Sequence, residues 1–122
     1  MLNFNSVLLS SQNPAPLVDY YKQVFQMDPQ WSGGEFVGFK VGDGMVVIGP
    51  HDKVHGKSIN PERLILGLET ADVAGEFTRI KGIEGTTVIV EPYHPAEASD
   101  MWLATLADPD GNFFQLGTPM NL

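Results

Sequence analysis

Hydrophobic and polar positions follow the same succession of spacings twice along this chain. In each half, a strand-like stretch precedes apolar residues at helical spacing, and three short extended stretches follow. Asn13-Pro14 is typical of a helix start, and Gly42-Asp43-Gly44 is typical of a hairpin turn. The first half predicts strands over 4–11, 35–41 and 45–49, a short extended piece near 30–32, and a helical stripe of Leu17, Tyr21, Val24 and Phe25.

The second half repeats that order of elements. Asp72 is expected to cap its helix, and Gly82 or Gly85 is expected to end it. The predicted elements are strands over 64–70, 86–91, 102–107 and 112–117 and a helical stripe of Val73, Phe77, Ile80 and Ile83.

The two halves can be matched residue by residue, which indicates a duplicated unit. Val7 and Leu9 in the first strand of one half correspond to Leu66 and Leu68 in the other. Neither half could bury its sheet face alone, so we predict one α+β domain built from two βαβββ modules. Its predicted divisions are a single domain over 1–122, with module one at about 1–50, a polar linker at about 51–62, and module two at about 63–122.

Composition removes several classes of function. The chain has no cysteine, which excludes disulfides, thiolate metal sites and a cysteine nucleophile. The net charge is −8 and the seven Lys and Arg residues are scattered, so we expect no nucleic-acid partner. No apolar run approaches membrane-spanning length, and the N-terminus lacks the layout of a signal peptide. We therefore expect a cytoplasmic protein with no membrane partner.

The most informative stretch is Asp108-Pro109-Asp110-Gly111-Asn112, which lies between two of the predicted strands. Pro109 presets φ for a tight turn, and Gly111 accepts the positive φ that closes such turns. This turn and the internal repeat together resemble the vicinal oxygen chelate superfamily. That superfamily includes glyoxalase I, extradiol dioxygenases, and fosfomycin and bleomycin resistance proteins. Ser11-Gln12-Asn13-Pro14 and Glu91-Pro92 add to the resemblance, which covers essentially the whole chain.

The resemblance implies an architecture and an assembly. The two βαβββ modules would form a curved, partly closed mixed sheet with one helix per module packed outside. Small relatives of this layout generally pair, so a homodimer with two sites is expected. Because the fold hosts several chemistries, function has to be argued from particular residues.

Metal-using members of the superfamily place His, Glu or Gln on the first and last strands of the two modules. The resemblance and the repeat put those positions at Ser6, Val47, Ile65 and Gln115. Val and Ile have no donor atom, and a neutral Ser hydroxyl is a poor ligand for a divalent transition metal. We therefore expect no metal site, no cofactor and no catalytic residue of the family type.

The three histidines leave two interpretations open. His51 and His55 lie four residues apart in the polar linker, where they are either ligands brought in from a loop or solvent-exposed side chains. His94 lies in a predicted loop, where it either lines a pocket as a proton carrier or stays on the surface. The exposed interpretation is favoured for all three.

Strand alternation and aromatic content predict an organic ligand site. Ser6 and Leu8 should face a cavity, and aromatic walls suit a flat or cationic ligand. The candidate ligand-binding residues are Ser6, Leu8, Trp31, Phe39, Ile65, Glu69, Trp102, Phe113 and Gln115.

The sequence supports one leading function and two alternatives. The leading hypothesis is a metal-free protein of the bleomycin resistance type that binds a small aromatic or cationic molecule. The first alternative is a metal-dependent lyase, isomerase or dioxygenase of the glyoxalase type, with a displaced site that uses Gln115 and loop histidines. The second is an interaction or regulatory domain without a ligand.

Overall fold

The computed structural model describes residues 1–120 and confirms two tandem βαβββ modules. The chain divides into two compact units, Met1–Gly56 and a second unit from Lys57 onward. That division falls inside the stretch predicted as a linker. Each unit carries its own open, four-stranded mixed sheet and one α-helix. Among the described residues, no helix is long and apolar enough to cross a membrane.

Module one contains four strands and one helix. They are β1 (Ser6–Ser11), α1 (Pro14–Phe25), β2 (Trp31–Gly33), β3 (Phe36–Val41) and β4 (Gly44–Pro50). The sheet order is β1-β4-β3-β2, with β1 parallel to β4 and the other two pairs antiparallel.

Module two repeats this topology. Its elements are β5 (Leu66–Glu69), α2 (Val73–Lys81), β6 (Thr87–Tyr93), β7 (Leu103–Ala107) and β8 (Phe113–Gly117), preceded by a 3₁₀ turn at Pro61–Arg63. The sheet order is β5-β8-β7-β6, again with the first pair parallel. Leu8 pairs with Val47 in module one, and Gly67 pairs with Gln115 in module two. These equivalent pairs confirm the register that the sequence repeat predicts.

Each helix packs its apolar stripe on one face of its own sheet. In module one, the side chains of Leu17, Tyr21, Phe39 and Ile48 are at most 1% exposed. Full burial of a side chain of this size stabilises a fold by about 1.5–3 kcal/mol. Equivalent buried positions in module two are Val73, Phe77, Ile80, Leu106, Phe114 and Leu116.

The helix ends differ in part from the sequence prediction. Asp72 caps α2 as expected, because its Oδ1 accepts a hydrogen bond from Gly75 N at 2.9 Å. Asn13 makes no such side-chain bond; its own backbone N donates to Ser11 Oγ at 3.1 Å. Helix α2 ends at Lys81 with Gly82 as its C-cap residue, so Ile83 lies outside the helix.

Candidate functional site

The sheet of module one has one face covered by α1 and one open face, and the open face carries the candidate site. Side chains alternate between the two faces along each strand. Phe39 pairs with Val46 on the covered face, whereas Lys40 pairs with Met45 on the open face. Ser6, which pairs with Met45 across β1 and β4, is on the open face as well.

Trp31 packs against two glycines of this open face. A Cβ built on Gly33 would come within 2.8 Å of Trp31 Cζ2 and 2.9 Å of Trp31 Cη2. A Cβ on Gly38, which pairs with Trp31 across β2 and β3, would lie 3.3 Å from Trp31 Cε3. These glycines leave room for the indole, which is still 47% exposed. The ring thus contacts the sheet at these two glycines and is still about half accessible to solvent.

The indole forms one wall of a pocket of about 440 Å³. Ser6 on β1 and Met45 and Val47 on β4 line the pocket from the sheet. Lys40 and Asp43 add side chains of opposite charge. The lining residues of this module-one pocket are Asn5, Ser6, Trp31, Lys40, Asp43, Gly44, Met45 and Val47.

A second, smaller pocket of about 280 Å³ lies in module two. Glu69 is its one charged lining residue, and Gln115 supplies an amide from the neighbouring strand β8. Methionine and leucine side chains make up much of the remainder. The lining residues of this module-two pocket are Gly67, Leu68, Glu69, Met101, Leu103, Gln115, Gly117, Thr118 and Met120.

The predicted site residues divide between the two pockets and their surroundings. Ser6 and Trp31 line the module-one pocket, and Glu69 and Gln115 line the module-two pocket. Leu8 is 55% exposed on the open face of β1, next to Val47, but it is not a lining residue.

Ile65 and Phe113 are likewise outside both pocket linings. Ile65 precedes β5 and is 40% exposed, and Phe113 is partly buried at the start of β8. The structure therefore brings together four of the nine predicted residues, two in each pocket.

Phe39 requires a correction, because it is a core residue and not a pocket residue. It is fully buried on the covered face of β3, with its ring centroid 5.3 Å from that of Phe25 on α1. Phe39 is adjacent to Lys40 along β3, so strand alternation places it on the face opposite this pocket-lining residue.

Trp102 lines neither of these two pockets. It precedes β7, and its ring centroid lies 3.7 Å from that of His94, at an interplanar angle of 42°. Its backbone N donates to Thr118 Oγ1 at 2.9 Å. His94 Nδ1 lies 2.7 Å from Met101 O, a carbonyl that can only accept, so this nitrogen carries the proton. His94 thus contacts Trp102 and a loop carbonyl.

Sequence reasoning missed Lys40 and Met45 in one pocket and Met101 and Thr118 in the other. Lys40 had a detectable signal, since it is the polar position that interrupts the apolar β3 run. Its place beside Trp31 depends on the pairing of Trp31 with Gly38, which a single sequence does not reveal.

Comparison with protein families gives a clear assignment. The Glyoxalase/Bleomycin resistance protein/Dioxygenase superfamily matches residues 3–116. This chain belongs to that superfamily. A comparison with functionally curated proteins found no match.

Solved structures of the same superfamily share the fold over nearly the whole chain. A glyoxalase/bleomycin resistance protein/dioxygenase family enzyme from Burkholderia phytofirmans PsJN has a TM-score of 0.76 and 17% identity, covering 95% of this chain and 98% of its own. A glyoxalase-related enzyme from Fulvimarina pelagi has a TM-score of 0.77 and 14% identity, covering 98% and 89%. A glyoxalase/bleomycin resistance protein from Albidiferax ferrireducens T118 has a TM-score of 0.73 and 17% identity, covering 95% and 98%. At these identities the likeness establishes the fold.

The residues at the superfamily's metal positions do not fit a divalent transition metal. Ser6 and Val47 both line the module-one pocket, where they offer one neutral hydroxyl. Gln115 offers one amide oxygen in the module-two pocket, and Ile65 offers no donor atom. Among residues 1–120, no group of three or more His, Asp or Glu side chains is placed to hold a metal ion. Transition-metal sites in proteins use several imidazole, thiolate or carboxylate ligands, and neither pocket provides such a set.

Proposed function

We propose that this glyoxalase/bleomycin resistance superfamily protein binds small aromatic molecules in the module-one pocket, without using a metal ion. The observation that carries the proposal is the indole of Trp31, which packs against Gly33 and Gly38 and remains 47% exposed. A ring stacked on an indole gains about 0.5–1.5 kcal/mol beyond the area that it buries. Because the indole is already in place, a ligand would not have to order it on binding.

The size and lining of the pocket support the same function. Its volume of about 440 Å³ lies within the range of about 300–1,000 Å³ that is typical of small-molecule sites. Met45 and Val47 provide apolar contact beside the indole, and Asn5 and Ser6 provide hydrogen-bonding groups. This mixture of apolar surface and a few polar groups is the usual composition of an organic ligand site.

The site favours an aromatic ligand more than it favours a cation. Lys40 and Asp43 line the same pocket and carry opposite charges, so the side chains do not select a positive ligand. The charge of the whole chain, −8, acts mainly at long range and is screened by salt. Recognition of a ring is therefore the part of the hypothesis that the pocket supports directly.

Tryptophan fluorescence tests this proposal, because each module has one tryptophan. The protein would be treated with EDTA and titrated with naphthalene, indole and acridine derivatives. In the variant Trp102→Phe only Trp31 emits, and in Trp31→Phe only Trp102 emits. We expect saturable changes in the wild type and Trp102→Phe and none in Trp31→Phe.

Two results would contradict the proposal. If none of these compounds changes the emission of Trp102→Phe, the indole of Trp31 is not a ligand surface for flat rings. If the emission changes only in Trp31→Phe, the ligand binds in module two. A parallel titration with added zinc, nickel, manganese and iron should give the same dissociation constants.

A further inference from the structure

Lys40 lies beside the indole of Trp31 on the open face of module one. Gly38 pairs with Trp31, and Lys40, two residues further along β3, is therefore on the same face. The backbone at this place is fixed by Gln30, whose Oε1 accepts from Lys40 N at 2.6 Å. Gln30 N also donates to Gly38 O at 3.0 Å. The backbone of β3 at Lys40 is thus held to Gln30, the residue before Trp31.

The ammonium group of Lys40 makes a weak contact that a ligand could replace or extend. Nζ donates to the carbonyl oxygen of Gly42 at 3.1 Å. A lysine ammonium has three donors, and bonds to a carboxylate are stronger than bonds to a neutral carbonyl. Within the described residues, no carboxylate lies at ion-pair distance from Lys40 Nζ, although Asp43 lines the same pocket.

We propose that the ligand of the module-one pocket is an aromatic acid, with its ring on Trp31 and its carboxylate bound by Lys40. The inference rests on the proposed function, since it needs the same pocket, and it adds the chemical class of the ligand. Lys40 is then the residue that determines specificity for an anionic group, and Trp31 is the residue that binds the ring.

Asp43 provides the competing possibility, an aromatic amine, and its position argues against it. Asp43 lies in the turn between β3 and β4, after Gly42, which has a φ of 58°. Lys40 lies on the sheet face that carries Trp31, two residues along β3 from Gly38, so it is the charged group placed beside the ring. A carboxylate on that ring would gain a charge-assisted hydrogen bond from the ammonium group.

Net charge does not exclude an anionic ligand. The chain carries −8, which repels anions at a distance. At physiological ionic strength this repulsion is screened over about 8 Å, whereas a contact ion pair in a pocket is screened less. The charged side chain that contacts the ligand, Lys40, therefore has more effect on the preferred ligand charge than the net charge of the chain.

Three probes with the same ring and different charge test the inference. They are 2-naphthoate, the neutral 2-naphthylmethanol and the cation 2-naphthylmethylammonium, each titrated by calorimetry into the 122-residue protein. We expect 2-naphthoate to bind about 1.5- to fivefold more tightly than the alcohol, the range for an exposed ion pair. Lys40→Met should remove that difference between 2-naphthoate and the alcohol.

Matched variants separate the role of Lys40 from general charge effects. Lys22→Met removes a positive charge on α1, where Lys22 lies 3.9 Å from Asp19 Oδ1, and should leave the preference for 2-naphthoate intact. Asp43→Asn should also leave 2-naphthoate as the tightest probe. Equal unfolding curves for Lys40→Met and wild type confirm that the variant is folded.

The outcomes distinguish this inference from the function on which it rests. If the three probes bind equally, the proposal of an aromatic acid is wrong, whereas the proposal that the pocket binds aromatic molecules is still supported. If the ammonium probe binds most tightly and Asp43→Asn weakens it, the ligand is an amine and the inference is overturned. If none of the probes binds, the proposed function fails and this inference fails with it.

Discussion

The indole of Trp31 occupies the space that a side chain on Gly33 would need. A methyl group at Gly33 would come within 2.8 Å of Trp31 Cζ2, so Gly33→Ala has to move the ring. In a Trp102→Phe background, we expect Gly33→Ala to change the emission maximum of Trp31. We also expect it to weaken binding of a naphthalene ligand about two- to tenfold, the range for loss of one aromatic contact.

Gly67→Ala is the control for this prediction, because a Cβ at Gly67 meets nothing within 4 Å. It should leave both the emission and the affinity of the Trp102→Phe protein unchanged. If Gly33→Ala binds as tightly as the parent protein, the position of the indole does not matter for binding.

Gly49 is required by the packing of Phe36. The ring of Phe36 lies over Gly49, and the ring atoms Cδ2, Cε2 and Cγ occupy the place of a Cβ. We expect Gly49→Ala to lower the free energy of unfolding by about 1–3 kcal/mol, the usual cost of forcing an extra methyl group into a packed site. Urea denaturation compared with Gly67→Ala measures this, and equal midpoints would contradict the contact.

Asp108 should be the most sensitive residue of the turn that identifies the fold. Its side chain is 3% exposed, and Oδ1 accepts from Asp110 N at 2.9 Å and Asn112 N at 3.0 Å. Oδ2 accepts from Asn112 Nδ2 at 3.0 Å. Asp108→Ala leaves these donors without their acceptor, so we expect a loss of about 2–3 kcal/mol in unfolding free energy. Asp110→Ala, which keeps its backbone donor, should cost much less, and equal losses would contradict this account.

Glu76 and Arg79 give a pH dependence that can be worked out in advance. The hydrogen bond from Arg79 lowers the pKa of Glu76 below its ordinary value of 4.5. A lowered folded-state pKa contributes stability above pH 4.5, and this stability is lost as the pH falls through the folded pKa. The pair is partly exposed, so the effect should be about 0.3–0.5 kcal/mol.

The variant Glu76→Gln checks this pH dependence. Unfolding curves of wild type and Glu76→Gln should differ at pH 7 and converge as the pH falls through the lowered pKa of Glu76. A difference that does not shrink as the pH falls below 4.5 would show that the carboxylate charge is not its cause.

The side chains at the positions where metal-using members of the superfamily carry ligands predict the metal content of the purified protein. Ser6, Val47, Ile65 and Gln115 do not form a ligand set, so purified protein incubated with zinc, nickel, manganese or iron should retain only trace metal. Added metal should also leave the melting temperature unchanged, because an ion that does not bind the native state cannot stabilise it. Stoichiometric metal that is lost in Gln115→Ala would overturn this prediction and favour an enzyme.

The fold could be predicted from the sequence because the patterns that indicate it are local and occur in both modules. The Asp108 turn, the Asp72 cap and the matched strands of the two modules each depend on nearby residues, and the pairing of Gly67 with Gln115 agrees with them. The homodimer and the cytoplasmic location stay predictions.

The candidate site could be predicted only in part from the sequence, because it depends on the pairing register of the strands and on the loops between them. Alternation along β3 puts Phe39 on the face opposite Lys40, but only the pairing with β4 and the contact with Phe25 show that this face is the covered one. The contact between Trp102 and His94 is made across a loop and has no periodic signal.

The most direct test of the central claim is a map of backbone and indole NMR shifts on addition of 2-naphthylmethanol to metal-free protein. If the Trp31 pocket is the ligand site, the largest shifts will fall on the Trp31 indole N–H and on the amides of Gly38, Met45 and Val47. Shifts confined to residues 67–69 and 115–118, or no shifts at all, would contradict it.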